Sequence, residues 1–148
     1  QVVEIAAWLH DIGVAIDKAT HYDVGAELSR GFLLGLGYDA ELVEQVCHAI
    51  ATHSRYGGAD PETIEAKVLQ DADAVEYVGA IGLARAFVRD RESGAYDGNV
   101  GDVPAMIDRL IDHIGFLYTQ RAQELIDERI AFMRLYQTRL VQELAGKA

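Results

Sequence analysis

Apolar residues recur at three- and four-residue intervals along almost the whole chain, strand-like alternation is scarce, and prolines occur only at positions 61 and 104. A chain patterned this way buries its apolar surface by packing helix on helix, so the fold class it specifies is all-α. Its 148 residues, half of them apolar, suffice for one core without covalent staples, and a single unit over 1–148 is expected. Cys47 is the only cysteine, which excludes an intramolecular disulfide and sets a cytoplasmic location as the expectation. With 13 basic and 24 acidic residues the chain repels a nucleic-acid backbone, so nucleic acid is not an expected partner. The richest apolar runs, 31–38 and 78–86, are broken by glycines and fall short of the roughly 20 residues of a membrane span.

The opening run Gln1 to Leu9 lacks a methionine and reads as the interior of a buried helix, so further residues are expected to precede it. It shows neither a basic leader nor a cleavage site. That helix should end near His10, because Asp11-Ile12-Gly13 supplies a residue that tolerates a positive φ. A second helix is expected over 22–36, with Val24, Leu28, Phe32 and Leu36 on one face and Gly37 as terminator. Asp39 should cap a third over 40–53, whose stripe is Val43, Val46, Ile50 and His53. After a loop at 55–59, Asp60-Pro61 reads as the start of a segment reaching Arg89, bent or split at Gly79 and Gly82. A glycine-rich loop is expected over 90–103, and helix again from Pro104 to Leu144, interrupted near Tyr118 with Thr119 as a cap.

Adjacent His10 and Asp11 reach one ion only where a helix ends, since consecutive helical residues point about 100° apart. Imidazole with carboxylate suits Mn, Fe, Zn, Co or Ni, and a third ligand must come from elsewhere. Asp71 is the candidate: Asp71 and Asp73 interrupt an apolar helix, where a buried carboxylate needs a metal or another cation. Asp73 is then left a supporting or capping role, and a solvated face for both is the competing reading.

The ordered set Ala7-Trp8-Leu9-His10-Asp11-Ile12-Gly13, then His21 with Gly25-Ala26, then His53, then Gln70-Asp71-Ala72-Asp73, resembles the HD-domain superfamily of metal-dependent phosphohydrolases. The run from Gly79 to Phe87 and the later 122–133 resemble the small stand-alone bacterial HD hydrolases, some of which split nucleoside triphosphates into monophosphate and pyrophosphate. The resemblance implies a compact HD-domain helical bundle with His10, Asp11 and Asp71 as metal ligands and catalytic residues. It places His21 and His53 either on a second metal or against substrate phosphate; a helix-start residue and a core histidine are the respective alternatives. Arg85 is a candidate phosphate contact, against a structural ion pair, and Lys18 with Asp17 ranks below it. His48 and His113 read as surface residues, and Gly79 and Gly82 as close-packing positions rather than a phosphate loop.

Two departures from the family pattern stand out. The further histidine ligand that HD proteins carry upstream of the His-Asp pair would fall before Gln1, and is expected among the residues that precede it. Val14 stands where some nucleotidase relatives carry a catalytic glutamate and signalling relatives a lysine.

The expected chemistry is hydrolysis of a small phosphorylated substrate of nucleotide type by water activated on a divalent metal (Mn, Mg, Fe, Co or Ni). A dinuclear iron oxygenase and a non-catalytic HD binding module are the alternatives. A homodimer through Ile126, Ile130, Met133, Leu140 and Leu144 of the last helix is a weaker expectation.

Overall fold

The computed structural model describes residues 1–55 and 57–147. Among them are seven α-helices, two short 3-10 turns and no strand, so the all-α reading holds. The chain divides into two compact units, Gln1–Asp73 and Ala74–Ala148. No helix of the described residues is long and apolar enough to cross a membrane.

In the first unit, α1 (Val2–Leu9) and α2 (His21–Gly35) pack on α3 (Ala40–Ala51), and a 3-10 turn at Ile12–Ala15 lies against α2. Asp39 caps α3 as expected, its Oδ1 accepting from the Glu41 amide at 2.9 Å. The stripe Val43, Val46, Ile50 and His53 is buried, and with Ala6, Leu33 and Leu69 it builds the core. The face expected for α2 is corrected. Leu28, Phe32 and Leu36 are exposed, and the next stripe, Gly25, Ala26, Ser29 and Leu33, is the buried one. Small side chains let backbones approach: a Cβ on Gly25 would stand 3.2 Å from the His10 carbonyl oxygen and 3.4 Å from Ile50. Closeness to α3 therefore outweighs the larger apolar area of the other stripe.

The start of α4 (Ile64–Val75) is corrected as well, since the helix begins after Asp60-Pro61. Its first turn is capped by Thr63, whose Oγ1 accepts from the Ala66 amide at 3.2 Å. The Glu62 amide is taken by His48 Nε2 at 3.2 Å, which satisfies that donor outside any helix.

In the second unit, α5 (Gly79–Ser93) begins at a glycine with φ +81, where the expected split falls. It runs past Arg89 to Gly94, which ends it in the left-handed conformation, so the expected loop over 90–103 is shorter than the composition suggested. A 3-10 turn (Val100–Asp102), α6 (Val103–Asp112) and α7 (Gln120–Leu144) complete the unit. Thr119 caps α7 through the Ala122 amide at 3.2 Å. Val78, Leu83, Met106, Ile107, Ile126 and Met133 are buried together, while Leu144 is exposed.

Two measurements check this account. A Cβ at Gly13 would lie 2.2 Å from the His21 carbonyl oxygen, whereas nothing lies within 4 Å of one at Gly31. Gly13→Ala should cost about 2 kcal/mol or more, and Gly31→Ala, in the middle of α2, should gain about 0.5–1 kcal/mol in urea denaturation. Asp108 of α6 accepts from Gln137, at 3.0 Å, and from Arg134 of α7, which holds its carboxyl below the ordinary range. A lowered folded-state pKa means stability present above the unfolded value and lost as pH falls through the folded one. Asp108→Asn should remove that part of the acid decline in the urea midpoint below about pH 4.

Candidate metal centre

Three imidazoles of the first unit are fixed by one device. His10 Nδ1 lies 2.9 Å from the Ala7 carbonyl, His21 Nδ1 3.0 Å from that of Lys18, and His53 Nδ1 2.6 Å from that of Ile50. A carbonyl oxygen can only accept, so each Nδ1 donates, and in the neutral ring each Nε2 is left as a lone-pair acceptor. These Nε2 atoms converge. His10 Nε2 is 3.4 Å from Asp11 Oδ2, and His21 and His53 Nε2 are 3.8 and 3.6 Å from Asp11 Oδ1. His21 and His53 Nε2 are 3.2 Å from each other.

The backbone explains the meeting of neighbours His10 and Asp11. Helix α1 ends at His10, and Asp11 takes φ −97 and ψ 5, outside helical geometry, so the two side chains turn toward one point. Gly13, buried against the first turn of α2, sets that turn beside His21. When the imidazoles carry a second proton, on Nε2, hydrogen bonds from His10, and next from His53, hold the Asp11 carboxyl well below the usual carboxylate range. The same bond to Asp11 raises the His10 imidazole against the opposing effect of its burial.

One ligand atom each from His10, Asp11 and His53 lies within 4.8 Å of the others. Ligands about 2.1 Å from one small divalent ion stand roughly 3–4 Å apart, so the donor set fits such an ion. Its composition, imidazole nitrogen with carboxylate oxygen and no thiolate, suits Mn, Fe, Co, Ni or Zn.

Asp71 is placed differently. It is 2 % exposed on α4, and its Oδ1 accepts from Arg55 Nη2 at 3.1 Å. The neighbouring Gln70 donates to the Thr52 carbonyl at 2.8 Å, which ties α4 to the end of α3. Arg55 is the site residue that sequence reasoning passed over. The requirement that a cation neutralise a buried Asp71 pointed to a metal, and a basic residue two positions after His53 was equally able to meet it. Lys18 takes part through its main-chain carbonyl, which anchors His21, and Asp17 closes the same loop by accepting from Ala19 and Thr20. Arg85 belongs to the second unit, where it is exposed and paired with Glu76.

The fold is that of an HD protein. The HD-domain family model matches residues 1–78, and the chain belongs to that family, within the HD hydrolase superfamily. Its relatives include YpgQ of Bacillus subtilis (strain 168), 30% identical over 152 residues that cover 98% of this chain and 73% of YpgQ. A ribonuclease Y of Alkaliphilus metalliredigens is 40% identical over 73 residues, covering 47% of this chain and 13% of that protein. Among solved structures, a predicted HD superfamily hydrolase from an uncultured Thermotogales bacterium superposes with TM-score 0.69 at 27% identity, over 97% of this chain and 68% of that one. Bacillus subtilis YpgQ in complex with ADP superposes with TM-score 0.63 at 26% identity, over 99% and 87%.

Arg55→Ala should leave the Asp71 carboxylate without its guanidinium and cost about 1–3 kcal/mol in urea denaturation. A double-mutant cycle with Asp71→Asn should show a coupling of at least about 0.5 kcal/mol; additive losses would mean that the pair is not an energetic unit.

Proposed function

We propose that this chain is a metal-dependent phosphohydrolase acting on a nucleotide or similar phosphate ester. The observation that carries the reading is the convergence of three Nε2 acceptors on the Asp11 carboxylate, an array of lone pairs that a bound cation would satisfy. His10, Asp11 and His53 are the primary donors in this proposal, Asp71 is the further carboxylate, and His21 either joins a second ion or meets substrate phosphate. When bound, a divalent ion supplies Lewis acidity toward phosphoryl oxygens and a lowered pKa for its water.

The protein's own groups prepare that chemistry. The depressed pKa keeps Asp11 anionic at any working pH, so it remains an acceptor throughout. Anchored Nδ1 protons hold each imidazole in one tautomer and orientation, so no rotamer freedom is lost on binding. His21, at 18% side-chain exposure against 2% for His53, is the imidazole better placed to meet a substrate oxygen. The nucleotide class is supported by the ADP complex of YpgQ. Similarity to YpgQ across nearly the whole chain supports treating residues 1–148 as one HD domain.

The test is elemental analysis of the purified protein with a phosphate-release screen over nucleotides in Mn, Mg, Co and Ni. Turnover should fall at least about a thousandfold in Asp11→Asn and His53→Ala, with metal content reduced in both. A second reading, a dinuclear iron oxygenase, is favoured by a fourth donor, His21, beside His10, Asp11 and His53. Two irons per chain, oxygen uptake and no phosphate release would replace the hydrolase by that reading. Bound metal with neither reaction would leave a binding module.

A further inference from the structure

We infer that the second unit carries a ligand site of its own, for a phosphorylated molecule with an aromatic body, on the concave face around Tyr77, Arg89 and Arg109. The face has a larger and a smaller hollow that adjoin. The larger is a cavity of about 560 Å³ lined by Tyr77, Gly82, Val88 and Leu110 with Arg85 and Arg89. The smaller, of about 240 Å³, shares Tyr77, Arg89 and Leu110 and adds Arg109 and His113. The larger volume lies within the range of small-molecule pockets, which pair an apolar body with a few polar groups.

Charge separates the two ends. In the larger hollow Arg85 is paired with Glu76, and Arg89 and Glu92 both line it, so cations and carboxylates balance there. In the smaller hollow the guanidiniums of Arg89 and Arg109 and the His113 imidazole face a single carboxylate, Asp90, which pairs with Arg89 at 2.9 Å. Arg109 makes no ion pair among the described residues, and a guanidinium at the rim of a hollow offers a planar fork to phosphate oxygens. In a chain of net charge −11 this local positive excess is against the general field. The His113 and Tyr77 rings, 5.4 Å apart, line the smaller hollow together, and Tyr77 also lines the larger. A nucleotide matches both: phosphates at Arg89 and Arg109, the flat base against Tyr77 and Leu110.

Isothermal titration of the full chain with ADP, and with pyrophosphate as the bodiless probe, tests the site. Wild type should bind ADP at least tenfold more tightly than pyrophosphate. Arg109→Gln and Arg89→Gln should each weaken ADP at least tenfold, Arg109→Lys less, and His53→Ala should leave this binding in place. Both arginines are exposed, so thermal melts of the variants should match wild type. A KM that rises in Arg109→Gln with kcat unchanged would assign the ligand to the hydrolysed substrate, and unchanged kinetics to a separate effector. ADP binding that survives both arginine variants and vanishes in His53→Ala, or no ADP binding at all, would overturn the inference, whatever the fate of the hydrolase reading.

Discussion

The first unit is organised around mutual repulsion of lone pairs. Three imidazole acceptors each stand within 4 Å of one ionised carboxylate, an arrangement that costs free energy unless positive charge sits among them. The remaining structure of the unit keeps those groups in place against that tendency to separate. Gly13 and Gly25 allow the His10–Asp11 turn, the first residue of α2 and the end of α3 to meet more closely than any side chain would permit. The burial of Val43, Val46 and Ile50 then fixes α3 from beneath.

Helix ends supply a second contribution. The carbonyls that anchor His10 and His53 belong to Ala7 and Ile50, in the last turns of α1 and α3, and that of Ile50 also accepts from the His53 amide at 3.3 Å. The imidazoles thus cap two helix C-termini while presenting Nε2 to the centre. Both helices also bring the negative ends of their dipoles there, which favours a cation by electrostatics alone. Arg55 meets the same need at Asp71 with a fixed side-chain charge.

Much of this was legible in the sequence because it depends on local spacing. The ends of α1 and α3, the Asp39 and Thr119 caps and the break at Gly79 follow from residue types at known helix positions, and His10, Asp11, His21 and His53 stand in family order. What was misread depends on partners distant in sequence. The bulky stripe of α2 carries the stronger apolar signal, yet the small stripe is buried because its neighbours come close. Asp60-Pro61 has the composition of a helix start, but His48 takes the Glu62 amide that a helix would have left to a cap. The Arg55–Asp71 pair spans 16 residues and no periodicity reports it.

The contrast between His53 and Asp71 shows how burial divides labour among ionisable groups. Both are 2 % exposed, yet His53 can enter the core neutral and needs only one main-chain acceptor for its Nδ1 proton. A carboxylate cannot be buried so cheaply, and Asp71 comes with a guanidinium and a neighbouring amide that ties its helix to α3. Asp11 escapes the penalty differently, since its side chain is 62% exposed and its charge is stabilised from the protein side by histidines. The two aspartates therefore differ in setting despite their common chemistry: Asp11 is open to solvent beside three imidazoles, and Asp71 is buried beside the Arg55 guanidinium.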